Sequence, residues 1–178
     1  MDRLIGTLAR WTALALIPLV TMTPPLPGAA RGDRPSVSID GGTFGWPVAL
    51  PVVLTDFDPP VTPYGSGHRG IDLAAAVGTV VTAAGAGRVV YAGPLAGRGV
   101  VSIEHRSGLR TTYEPVLPRV AVGSLVTAGQ PIGTVTAGHR PCAPATCLHW
   151  GARCGAVYLD PRSLLPGRWR VRLLPWEG

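Results

Sequence analysis

Glycine returns so often between residues 80 and 135 that no amphipathic helix has room to form there. It cuts this stretch into segments 80–83, 87–92, 99–105, 109–113 and 131–135, each rich in β-branched or aromatic residues. Short runs of that kind bounded by glycine are the signature of strands joined by tight turns. Upstream, the prolines at 59, 60 and 63 leave only extended chain and turns, because proline lacks the helical N–H donor and restricts the residue before it. No apolar pattern of helical period runs longer than two turns. The one exception expected is a single helical turn over 160–165, with Asp160 as N-cap and Pro161 at the first helical position. Residues 169–173 alternate like an edge strand guarded by charge. The fold class this predicts is all-β.

The same region carries a repeat. Ala76-Val77-Gly78-Thr79-Val80-Val81-Thr82-Ala83 returns as Ala121-Val122-Gly123-Ser124-Leu125-Val126-Thr127-Ala128. Each copy is a glycine turn feeding a strand. A doubled turn-strand unit predicts two pseudo-equivalent halves packed as an internally duplicated barrel-sandwich hybrid of antiparallel sheets.

The ends read differently. Residues 1–30 have the pattern of a secretory signal: Arg3 and Arg10, a short apolar run over 11–20, then Gly28-Ala29-Ala30 as a cleavage site after Ala30. The run is shorter than the roughly 20 apolar residues of a membrane span, and Pro18 interrupts it. Export with removal of this segment is therefore expected, leaving no stable membrane anchor and a secreted, cell-wall or periplasmic protein. Residues 31–43 read as a linker, and 44–178 as one domain working as a monomer. The formal net charge is +6, carried entirely by arginines, and they are scattered rather than clustered. Nucleic-acid binding needs a basic stripe interleaved with aromatics, so no nucleic-acid partner is expected.

Two elements carry chemistry. His68 and Asp72, four apart in Gly67-His68-Arg69-Gly70-Ile71-Asp72-Leu73, share one face of a strand. His149, in Cys147-Leu148-His149-Trp150, sits two residues from Cys147 on the same face of another. Two imidazole nitrogens and one carboxylate make a three-ligand zinc set with an open position.

These motifs, with the run from Gly78 to Val89, the run from Val122 to Gly133, and Leu148-His149-Trp150-Gly151, resemble the lysostaphin-type (LytM-like) zinc metallopeptidases. The resemblance spans about residues 46–165. It implies a twofold-repeated β sandwich, Zn2+ held by His68, Asp72 and His149, and a peptidoglycan peptide as substrate, cut with a water activated by the metal. Two positions depart from the family pattern. Family members carry a histidine where this chain has Cys147, and another where it has Pro115. Glu114 and His139 are the candidate catalytic groups in their place. Glu114 is expected on the face opposite residue 115, where pairing with an arginine is the simpler role. His139 lies in a loop ahead of the second motif. His105 is expected to be a satisfied surface histidine.

An oxidising compartment favours a Cys142–Cys147 disulfide, with Cys154 left unpaired. The competing reading keeps Cys147 reduced as a fourth zinc ligand, closing the site. Two functions stay open, an exported zinc endopeptidase of the cell wall and a catalytically degenerate relative that binds peptidoglycan or regulates a wall hydrolase. A third, a biotinyl or lipoyl carrier domain, fails because the chain has no lysine to carry the cofactor.

Overall fold

A computed structural model describes residues 43–167, except 63, 140, 141 and 143–145. The expected signal segment, the linker up to residue 42 and the edge strand at 169–173 lie outside the described residues.

Among the described residues, eleven strands form two antiparallel sheets. The large sheet contains β1 (Val53–Thr55), β2 (Gly70–Ala74), β10 (Cys147–Cys154), β6 (Leu109–Glu114), β5 (Arg98–Glu104), β4 (Gly87–Leu95) and β8 (Leu125–Val126) in that spatial order, and β11 (Val157–Leu159) pairs with the far end of β10. The small sheet is β3 (Val80–Thr82), β9 (Pro131–Val135) and β7 (Val116–Pro118). The fold is all-β, as the glycine spacing predicts. The expected turn near the C-terminus is a 3-10 turn over Pro161–Leu164, where the Asp160 carboxylate accepts from the Arg162 backbone N–H at 2.9 Å. A second, unanticipated 3-10 turn, Arg106–Gly108, joins β5 to β6.

The repeat is visible in the hydrogen bonds. In the first copy the Gly78 N–H donates to the Val135 carbonyl, and the Val135 N–H returns to the Thr79 carbonyl. In the second copy the Gly123 N–H donates to Val89, and the Val89 N–H returns to Ser124. Each copy's turn thus grips the strand that follows the other copy, β9 or β4. Gly78 and Gly123 sit at φ +87° and +89°, a left-handed conformation that glycine adopts without the Cβ clash other residues meet. The reciprocal grip is what ties the two halves together.

The core lies where the inward faces meet. Ile71 on β2, Trp150 on β10 and Tyr113 on β6 stand in one cross-strand row and are fully buried. Pleating sends alternate residues to opposite faces, so the neighbouring row is Asp72, His149 and Glu114. One register therefore builds the core on one face and a polar row on the other.

His105 departs from the surface position expected for it. It is only 7% exposed and packs edge-on against Phe44. Its Nδ1–H donates to the Ala86 carbonyl at 2.8 Å, and Nε2 lies 2.7 Å from the Thr111 hydroxyl, which is 2.9 Å from the Tyr113 hydroxyl. The Ala84 N–H donates to that hydroxyl in turn. Sequence alone gave this histidine a place at a strand end; the fold closes a polar chain around it. Burial lowers the His105 pKa against the opposing bond to Ala86, and burial pushes Tyr113 up to about 12.

Candidate metal centre

β2 and β10 are neighbours, so the Asp72–His149 register brings those two side chains together on the polar face. His68 arrives differently. It precedes β2 and is fixed by a bridge to Asp58, with reciprocal backbone bonds of 2.6 and 3.0 Å. His68 Nε2 lies 3.1 Å from Asp72 Oδ1 and 3.0 Å from His149 Nδ1, and His149 Nδ1 lies 2.9 Å from Asp72 Oδ1. The loop histidine joins them, with His139 Nε2 3.2 Å from the same Asp72 oxygen. All four ligand atoms lie within 4.8 Å of one another.

The protonation states follow from the partners. His68 Nδ1 is 2.7 Å from the Asp56 carbonyl, and a carbonyl can only accept, so this nitrogen carries a proton and in the neutral ring Nε2 presents a lone pair. That lone pair faces a carboxylate and a second imidazole nitrogen at about 3 Å, an arrangement that either a shared proton or a metal cation among the donors stabilises. Tetrahedral zinc with Zn–N distances of about 2.0–2.1 Å sets its ligand atoms roughly 3.3 Å apart, close to the separations here. The other carboxylate oxygen, Asp72 Oδ2, is buried without a hydrogen-bond partner. The donor set fits a divalent metal, with His68, Asp72 and His149 on or beside paired strands and His139 on a loop. Burial alone would raise the Asp72 pKa, but with the imidazoles protonated the hydrogen bonds from His139 and His149 and the charge of His68 hold it well below the usual carboxylate range.

The surroundings fix these rings. His149 turns Nδ1 toward Asp72 and its opposite edge toward Gly70, where an added Cβ would stand 2.7 Å from Nε2. Arg162, in the C-terminal 3-10 turn, pairs with Asp160 and reaches Asp56 Oδ1 at 2.6 Å. It thereby anchors the residue whose carbonyl orients His68, the kind of supporting contact that tunes a metal ligand.

The remaining candidates fall out as follows. Glu114 faces the polar side, directly across from His149. Its carboxylate is bound by Arg98 Nη2 at 2.8 Å and stays outside the four-residue cluster. Cys142 and Cys147 form a disulfide with their Cα atoms 5.9 Å apart, which removes Cys147 as a ligand in this state. Cys154, at the far end of β10, is outside the bridge. Arg98 is the residue that sequence reasoning passed over. It lies on β5, two strands from β10, and its pairing with Glu114 connects it to the polar face.

A two-sheet antiparallel domain with a His/Asp donor cluster preformed at one face defines the class: an all-β protein whose polar face carries residues that could hold a metal ion. The chain belongs to peptidase family M23, whose family model matches residues 66–161 and so takes in His68, Asp72, His139 and His149. An uncharacterized protein of Mycobacterium tuberculosis strain H37Rv is 48% identical over 141 residues, covering 76% of this chain and 56% of the relative. The chain thus spans little more than half of that relative's length. The catalytic domain of the antimicrobial peptidase lysostaphin from Staphylococcus simulans superposes with a TM-score of 0.54 at 27% identity, over 64% of this chain and 90% of that one. A zinc-containing peptidase from Vibrio cholerae superposes with a TM-score of 0.53 at 28% identity, over 66% of this chain and 38% of that one.

Proposed function

We propose that the chain is an exported zinc endopeptidase that hydrolyses peptide bonds of bacterial peptidoglycan, with His68, Asp72 and His149 as the metal ligands and His139 as the group that moves protons. The observation that carries this reading is the convergence of the His68 Nε2 lone pair, Asp72 Oδ1 and His149 Nδ1 within 3.1 Å. Zinc at such a set acts as a Lewis acid on a carbonyl and lowers the pKa of water. The chain's own residues supply the rest. Asp72 stays ionised and brings the one negative charge among the ligands. The Asp56 carbonyl keeps the His68 proton on Nδ1. His139 Nε2 stands beside Asp72 Oδ1, where an imidazole can take a proton from the attacking water and return it to the leaving amine. Glu114, neutralised by Arg98, is a wall of the site rather than its base. The disulfide is the observation that supports export, since such bridges persist in oxidising compartments.

A second reading has specific support. The family's two helper histidines are replaced by Pro115 and by the bridged Cys147, and His139 as a fourth ligand would close the metal site. The chain would then bind wall peptide or a hydrolase without cutting. Purified chain, with stoichiometric zinc, is incubated with cross-linked peptidoglycan and with glycine-rich peptides, beside His149→Ala and His139→Ala. The peptidase reading expects cleavage that His149→Ala abolishes and His139→Ala lowers about 10²–10⁴-fold. Full zinc occupancy with no cleavage above the His149→Ala background rejects it.

A further inference from the structure

The Cys142–Cys147 disulfide borders the metal cluster directly. The ligand atoms of Asp72, His139, Cys142 and Cys147 also lie within 4.8 Å of one another, so two donor sets overlap and share Asp72 and His139. Asp72 is fully buried, and its Oδ2 has no hydrogen-bond partner. The Cys142 N–H donates to the His139 carbonyl at 3.2 Å, tying the loop histidine to the bridge. We propose that this disulfide selects between two metal sites: oxidised, the His68–Asp72–His149 centre; reduced, a closed zinc site made of Cys142, Cys147, His139 and Asp72. The inference rests on the zinc reading of the same centre.

The chemistry favours the second set once it exists. A disulfide sulfur carries no charge to offer a cation, whereas a thiolate is the ligand zinc prefers in its closed structural sites. Cys147 is fully buried and Cys142 half-buried, so an incoming dithiol attacks the Cys142 sulfur and expels the Cys147 thiolate. In the full step the bridge S–S bond breaks and the dithiol's two S–H bonds become its own S–S bond. Each protein sulfur takes one proton, and zinc binding releases both. Both centres need the Asp72 carboxylate, and drawing it to the thiolates on reduction leaves one zinc per chain in either state. In the reduced state His68 and His149 are left without the carboxylate, and hydrolysis stops.

The test uses full-length Cys154→Ser protein, in which only the two bridge sulfurs can report, loaded with cobalt in place of zinc. Reduction by a phosphine, which adds no thiol of its own, is expected to produce a sulfur-to-cobalt charge-transfer band at one cobalt per chain. Both thiols should then resist a maleimide until cobalt is chelated. The unreduced Cys142→Ser variant, with one free sulfur, should show about half the band, and Cys142→Ser/Cys147→Ser none. Reduced protein with an unchanged cobalt spectrum and two alkylatable thiols overturns the inference, as does a chain that unfolds on reduction. The two readings fail separately. Oxidised protein that binds no cobalt while reduced protein gives the band rejects the peptidase site and with it the switch, and leaves only the thiolate site standing. Oxidised protein that binds cobalt and cleaves peptide, with a spectrum indifferent to reduction, does the reverse.

Discussion

Gly70 offers the sharpest way to disturb the centre without touching a ligand. A Cβ built there would overlap the Trp150 carbonyl oxygen and stand 2.7 Å from His149 Nε2 and 2.8 Å from Cε1. Ordinary van der Waals contact begins near 3.4 Å, so the His149 ring must retreat by about 0.7 Å or β2 must part from β10. The strand cannot give easily, because its register with β10 runs through five residue pairs from Cys147–Ala74 to Gly151–Gly70, and Trp150, opposite Ile71, is fully buried. Overpacking of this kind costs about 1–3 kcal/mol, which lowers Tm by roughly 2–4 °C for each kcal/mol. The ring displacement acts separately on the metal, and losing the support of a ligand typically weakens metal affinity about 10–100-fold. Gly70→Ala is therefore expected to melt earlier and to release zinc to a competing chelator more readily. Gly45→Ala, where nothing lies within 4 Å of the added carbon, should match wild type in both assays. A Gly70→Ala protein with unchanged Tm and unchanged zinc affinity refutes the claim that this glycine sets the position of His149.

Three further outcomes are expected. Chelation should lower Tm and added zinc restore it, since zinc at 100-fold over its dissociation constant stabilises by about 2.7 kcal/mol, and a melt identical with and without chelator would reject a metal bound in the folded state. Glu114→Gln, which leaves half-buried Arg98 without its counter-charge, should cost about 1–2 kcal/mol in urea denaturation, between the values of exposed and buried pairs; a double-mutant cycle with Arg98→Gln showing no coupling would mean the pair is only a solvated contact. His105 has a folded pKa below its unfolded value of about 6.5, so the unfolded chain binds its proton first, and its contribution is present above pH 6.5 and is lost as pH falls below it; His105→Gln should flatten that part of the stability–pH curve, and an unchanged slope would contradict the assignment.

Strand existence was legible because glycine bounds the segments, and β9 coincides with the predicted run over 131–135 while β4 to β6 fall within a few residues of theirs. The short strands β1, β7 and β11 were not, since three residues carry no alternation to read, and β8 was legible only as the strand of the second repeat copy. Alternation also governs what the polar face contains, provided it is anchored on a residue inside the strand. Judging Glu114 against residue 115 misleads, because β6 ends at Glu114; anchored on buried Tyr113 one residue back, Glu114 falls on the face shared with His149. The loop histidine has no periodicity at all, yet a chain of inference reaches it. Cys147 and His149 are two apart on one strand, so parity puts the sulfur on the same face as the ring. A bridge from Cys147 to Cys142 then draws the preceding loop over that face, and His139 is only three residues from Cys142. The covalent link that excludes Cys147 as a ligand is therefore the same link that delivers His139 to Asp72. That coupling separates two substitutions which sequence alone would treat alike: losing His139 removes one donor, whereas losing Cys142 frees a second donor and lets the first one drift.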